Sequence, residues 1–285
     1  LTPLLFLIAS TFVNIGLDLL FVCVFHLGVA GAAWATILSQ YGSFACCFIY
    51  MRKRYDILLF GKKDCHLKRD MVKEMLSIGF SMGFMNSLIN IGSVELQGAI
   101  NSLQDTNYIV AHTAARKITE VFMLPFSVFG TTMATFCGQN LGAGKNDRIK
   151  KGLWRVIWIT WAWCAGMIIL AYTVAPVLVH LITDTTQVKV IATASLYLRM
   201  NTILYFIPAV ICILRNAMQG IGDSITPVIS SSLELLCKVL VAVFLTPYLG
   251  YWAIIWSEPI SWVIMVIPLL IRIANNPVLK GNQTN

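Results

Sequence analysis

Charge is scarce in this chain. Only 12% of its 285 residues are Asp, Glu, Lys or Arg, against about 25% in a soluble domain, so water cannot be the solvent for most of its surface. The formal net charge of +8 invites a nucleic-acid reading. Lys and Arg cluster between hydrophobic runs, however, and no basic-aromatic stripe of the RNA-binding kind is present. Metal-ligand spacing is absent too. The eight cysteines lie mostly inside apolar runs and read as small buried hydrophobes rather than disulfides or ligands. His26, His66, His112 and His180 are scattered, and no nucleophile stands near a base, so nothing supports an enzyme. The segment "GQNLGAGK" is glycine-rich but follows an apolar run rather than a strand and lacks Walker spacing, which excludes a nucleotide loop. It is expected to form a tight turn, with Gly142 and Gly144 at positive φ. There is no initiator Met, basic n-region or cleavage site. The chain opens on Leu1-Thr2-Pro3, already entering an apolar run, so the expectation is a piece with helices missing upstream.

Apolar residues make up 58% of the chain. About 20 of them in a row span the hydrocarbon core, and eight runs qualify: about 3–25, 30–51, 76–102, 108–136, 153–180, 190–217, 227–247 and 252–273. Pro3 and Pro227 open their runs, where proline forfeits no helical hydrogen bond. Pro125, Pro208, Pro259 and Pro268 fall inside runs and are expected to kink them. The fold class is therefore all-α and polytopic. Between the second and third runs stand Arg52, Lys53, Arg54, Lys62, Lys63, Lys68, Arg69 and Lys73. Between the fourth and fifth stand Lys145, Arg148, Lys150, Lys151 and Arg155; Arg215 precedes the seventh, and Arg272 and Lys280 follow the eighth. The alternate connections, 26–30, 103–107, 181–189 and 247–251, hold only Lys189. The basic side is expected to be cytoplasmic, with the C-terminus inside.

The first two runs resemble the last two. Thr2-Pro3 falls over Thr226-Pro227, Leu27-Gly28 over Leu249-Gly250, and Trp34 over Trp256. Both hairpins run the same way through the membrane, a parallel repeat about the membrane normal. The expected organisation is the last two helices of a first six-helix bundle (1–51), a cytoplasmic linker (52–73), a complete second six-helix bundle (74–273) and a cytoplasmic tail (274–285).

Ionisable residues at membrane depth are expensive and mark function or pairing. Asn14 and Asp18 share one face of the first run, and Thr36 lies across the hairpin. At about 1.5 Å per residue all three sit about 12–20 Å below the outer turn. An amide, a carboxylate and a hydroxyl at one depth suit sodium or a proton; a packing cluster is the bland alternative. Under the repeat Lys238 replaces Asn14, Ala242 replaces Asp18 and Glu258 replaces Thr36. An ion pair of Lys238 with Glu234 or Glu258 is expected there instead. Glu95, Asn90 and Gln97 in the third run and Arg116 and Glu120 in the fourth join Glu234, Lys238 and Glu258 as candidate cavity residues. The four glutamates outnumber Arg116 and Lys238, so a mildly acidic cavity is expected, suited to cations; mutual neutralisation within helices is the alternative.

Three stretches, "GSVELQGAINSLQDTNYIVAHTAARKI", "GQNLGAGKNDRIKKG" and "RNAMQGIGDSITP", resemble the multidrug and toxic compound extrusion (MATE) family, and its bacterial DinF-type branch in particular. The resemblance implies a twelve-helix, two-lobed antiporter in the inner cell membrane that exports organic cations and other drugs or toxins against protons or sodium. Asn14, Asp18 and Thr36 match that branch's first-lobe cation site, and Glu234 and Lys238 its acid-x-x-x-base pattern. No cofactor beyond H+ or Na+ is implied, and the expected partners are small molecules and membrane lipids around a monomer. A lipid-linked oligosaccharide flippase of the same superfamily is the alternative, and it predicts a wide basic groove.

Overall fold

Hydrocarbon offers no hydrogen bonds, so a chain this apolar crosses a membrane only with its backbone satisfied internally. The computed structural model, which describes residues 2–55, 69–184 and 187–276, accordingly consists of helices and short connections. Among the described residues seven helices are long and apolar enough to span a bilayer, and a bent pair, taken as one, makes an eighth span. Lys62, Lys63, Lys68 and Cys65 of the expected linker, and the tail from 277 onward, lie outside the described residues. The chain divides into two compact units, Leu1–Arg69 and Asp70–Asn285.

The first unit is a hairpin of α1 (Thr2–Asp18), a π-helical turn over Leu19–Val24, and α2 (Gly28–Arg54). The buried face of α2 is Gly31, Ala35 and Ser39, small residues four apart that let backbones approach. A Cβ on Gly31 would press on Phe21 and Leu27. Ser10 Oγ donates to Ser39 O at 2.9 Å, and Phe6 meets Tyr50 edge-on.

The second unit contains α3 (Arg69–Ser102), α4 (Thr106–Gly142), α5 (Asn146–Thr183), α6 (Val188–Thr202), α7 (Phe206–Gly220), α8 (Ile225–Leu240), α9 (Thr246–Leu249) and α10 (Tyr251–Asn275). A π-helical turn, Val241–Leu245, joins α8 to α9. One core runs among these helices, built from residues such as Ile118, Phe122, Phe126, Met133, Leu198, Ile213 and Leu269. The closest seam lies between α4 and α7. Cβ atoms on Gly130 and Gly138 would meet Asn216 and the Gly220 carbonyl, and one on Gly220 would run into the Ala134 backbone.

The run at 190–217 is not one straight helix. It breaks after Thr202 and bends by 58° between α6 and α7. Pro208 has no N–H for Leu204 O, and that carbonyl accepts instead from Ile207 N at 3.0 Å, three residues on. At Pro125, Pro259 and Pro268 the chain stays helical. The Trp163 indole donates to Phe122 O at 3.0 Å, beside Val121, whose carbonyl Pro125 leaves without a helical donor. In the "GQNLGAGK" turn Gly144 takes φ 67°, as expected, whereas Gly142 closes α4 with no positive φ.

The sequence repeat has a backbone counterpart. Both hairpins carry a π-helical turn on the way to their connection, Leu19–Val24 and Val241–Leu245. Both connections hold a glycine at nearly the same positive φ, Gly28 at 55° and Gly250 at 56°.

Candidate functional site

Ser230, Glu234 and Lys238 recur every fourth residue and so share one face of α8, which is buried. Glu234 accepts from Lys238 Nζ at 2.9 Å through one oxygen and from Arg215 Nη2 of α7 at 3.2 Å through the other. Lys238 Nζ also lies 3.8 Å from Glu258 Oε1 on α10. Ser230 Oγ accepts from Arg215 Nη2 at 3.3 Å and donates to Met265 O at 2.9 Å. Arg215, Glu234, Lys238 and Glu258 thus form a chain of alternating sign joining α7, α8 and α10. Gly92 of α3 lies against the Lys238 stem, where a Cβ would come within 3.1 Å of Cδ. Ions buried this deeply lose several kcal/mol each in hydration, which only close pairing offsets.

The chain differs from the acidic cavity expected of Glu95, Glu120, Glu234 and Glu258. Two cations balance two carboxylates, because Arg215 is a buried member of it rather than a loop charge. The signal for Arg215 was its place inside the 190–217 run, short of the run's end. This network is balanced rather than basic, unlike the wide basic groove that a flippase for pyrophosphate-linked lipids predicts. Other candidates are not drawn in. Glu95 is exposed and pairs with no described residue. Asn90 donates to Asn86 O, and Gln97 to Asn101 Oδ1, within α3. Arg116 and Glu120 stand 4.0 Å apart, with Glu120 69% exposed.

In the first unit, Asn14 and Asp18 are half-buried on α1, the latter immediately before the π-helical turn. Asn14 Nδ2 and Asp18 Oδ1 are shielded from solvent and have no hydrogen-bond partner among the described residues. Thr36 is exposed and donates to Ala32 O of its own helix at 3.0 Å, so its hydroxyl is not joined to the pair.

Two surface clusters tie connections down. Asp105 caps α4 through Asn107 N and pairs with Lys189 at 2.8 Å. The Lys189 ammonium and the Asn107 amide hold its carboxyl below the usual range. Asp223, between α7 and α8, accepts from Arg272 Nε at 2.7 Å and from the Thr226 amide and hydroxyl. Burial pushes its carboxyl up, but those donors together outweigh burial and hold it low. A cavity of about 740 Å³ opens among α5, α7 and α10, lined by residues such as Trp154, Trp161, Phe206 and Leu270 with Lys150 at one end. None of the candidate residues lines it.

Comparison with known proteins completes the picture. The MatE family model matches residues 81–244. The chain is 25% identical over 237 residues to a probable multidrug resistance protein, YoeA, of Bacillus subtilis (strain 168), covering 81% of this chain and 50% of that one. It is 30% identical over 148 residues to a second, YpnP, of the same organism, covering 52% and 33%. The chain therefore spans half or less of the length of these relatives. Among solved structures, a multidrug resistance MATE family transporter in an outward-facing conformation superposes with a TM-score of 0.86 at 19% identity, covering 97% of this chain and 62% of that one. A MOP superfamily transporter from Pyrococcus furiosus, described as having a reversed binding-pocket polarity, superposes at 0.82 and 20% identity, covering 96% and 62%. With a family model matching more than half its residues, the chain belongs to the multidrug and toxic compound extrusion (MATE) family.

Proposed function

We propose that this protein acts in multidrug efflux, exporting small organic compounds, cationic ones included, in exchange for protons or sodium. In this reading Asn14 and Asp18 form the coupling site, with Thr36 contributing its free lone pair. The buried chain of Arg215, Glu234, Lys238 and Glu258 holds the helices that shape the substrate cavity. Residues 1–51 belong to a first lobe and 74–273 to a second, joined through 52–73, in a monomer of the inner membrane with a cytoplasmic C-terminus.

One observation carries the reading: Asp18 Oδ1, one helical turn from Asn14, is a shielded acceptor with no hydrogen-bond partner among the described residues. Polar groups buried without partners are destabilising, and a site that alternately binds and releases a cation needs such unspent capacity. Proton or sodium binding at Asp18 neutralises a desolvated carboxylate and so favours one of two exchanging conformations. Efflux of a fluorescent cationic dye from energised cells expressing the gene tests this. Asp18→Asn is expected to abolish efflux at unchanged membrane abundance. Efflux as rapid as in the parent rejects the role of Asp18.

A further inference from the structure

The first turns of α5 carry a built depression that the transport reading leaves unused. Arg148, Lys151 and Arg155 are three and four residues apart and share one face of the helix. Together with Gly152 and with Phe136 of α4 they line a pocket of about 400 Å³. Its floor exists because residue 152 has no side chain, since a Cβ there would strike the Phe136 ring. That ring is in turn packed against the core. None of the three cations has a carboxylate partner among the described residues, Asp147 included. Elsewhere in the second unit Arg116, Lys189, Arg215, Lys238 and Arg272 are all paired. Lys73, Lys117 and Arg199 also lack a carboxylate partner among the described residues but are scattered over α3, α4 and α6, whereas Arg148, Lys151 and Arg155 line one pocket together, with Lys145 and Lys150 adjoining.

The pocket sits where the bilayer's headgroups would lie. Trp154, between Lys151 and Arg155, and Trp158, one turn further along α5, are 55% and 62% exposed, and indole rings in such positions settle at the headgroup level. Two guanidinium forks and an ammonium converging on one depression match a phosphate. Basic pockets between membrane helices on the cytoplasmic side are suited to anionic lipid. We propose that Arg148, Lys151 and Arg155, over the Gly152–Phe136 floor, bind the headgroup phosphate of an anionic phospholipid. Its placement in the cytoplasmic leaflet rests on the orientation given above; the binding itself does not. Such a lipid would bridge α4 and α5.

Native mass spectrometry of the purified protein in detergent, titrated separately with phosphatidylglycerol, phosphatidylcholine and glycerol 3-phosphate, tests the site. A retained phosphatidylglycerol adduct is expected, with phosphatidylcholine much weaker and glycerol 3-phosphate a poor competitor. Combined Arg148→Gln, Lys151→Gln and Arg155→Gln should weaken phosphatidylglycerol roughly a hundredfold. Removing equal charge by Arg52→Gln, Lys53→Gln and Arg54→Gln at the end of α2 should leave it unchanged. Gly152→Leu fills the depression at constant charge and should also weaken binding. If the first triple variant does not fold, Lys151→Gln alone is expected to weaken binding about fivefold. Equal loss in both triple variants would reduce the effect to diffuse attraction and overturn the proposal. So would equal retention of phosphatidylcholine, or competition by glycerol 3-phosphate at matched concentration, which would assign the pocket to free phosphate.

Discussion

Glu234 accepts from two cations at once, one through each oxygen, so losing its charge strands both. Glu234→Gln leaves Arg215 and Lys238 buried with only Glu258 to share, and breaking a buried ionic group in this way costs about 3–5 kcal/mol. Glu120→Gln removes the same charge from a side chain that is 69% exposed, and such changes stay within about 0.5 kcal/mol. Thermal unfolding in detergent should therefore show a large fall in midpoint for the first variant and almost none for the second. Similar midpoints for the two would mean that the α7–α8–α10 chain does not hold the helices. At this scale the sequence was legible wherever partners were local. Glu234 and Lys238 are one turn apart, so their pairing follows from spacing alone. The link from Arg215 to Glu234 crosses a turn between two helices, and nothing in local periodicity reports it. Likewise the shared helix face of Asn14 and Asp18 follows from spacing, whereas the exposure of Thr36 depends on how α2 is set against α1 along its small-residue face.

Between elements, the tightest constraint is the seam of α4 and α7. Gly130, Ala134 and Gly138 on one helix face Cys212, Asn216 and Gly220 on the other, each set repeating every fourth residue. Where the obstacle to a new side chain is another backbone, no rotamer change relieves it. Gly220→Val should therefore destabilise the protein by about 1–3 kcal/mol or more. Gly98, on α3, has nothing within 4 Å of a built Cβ; Gly98→Ala should be neutral or stabilising, since alanine exceeds glycine in helix preference by about 1 kcal/mol. Unfolding midpoints of the two variants check the contrast, and equal effects would show that glycine content rather than close approach matters. Hydropathy located the spans, because it reads the thickness of hydrocarbon. It misplaced their ends for the same reason: the fourth and fifth runs, 108–136 and 153–180, continue helical to Thr106–Gly142 and Asn146–Thr183, with polar termini outside the apolar window. It also passed over the break between α6 and α7, since the two halves together still read as one span by length and composition. Pro208 was the visible cue there, but proline alone does not distinguish a break from the unbroken helices at Pro125 and Pro259.

For the whole molecule, the question is which side of the membrane each connection faces. The connections between the second and third and between the fourth and fifth spans are rich in Lys and Arg, the one between α7 and α8 has none because Arg215 is buried within α7, and the alternate ones hold only Lys189. That single exception is neutralised by Asp105 at 2.8 Å, so it adds no free positive charge to its side. Orientation is set by Lys and Arg in short connections near span ends, and those around the turn at Gly144 meet the condition, with Lys145, Arg148, Lys150, Lys151 and Arg155 close by. An alkaline phosphatase reporter, active only outside the cytoplasm, should be inactive when inserted after Ala143 and active when inserted after Asp184. The opposite pattern would invert the protein. It would place the basic pocket on α5 at the outer surface, while leaving phosphatidylglycerol binding in detergent unaffected, so that topology and lipid recognition can fail independently.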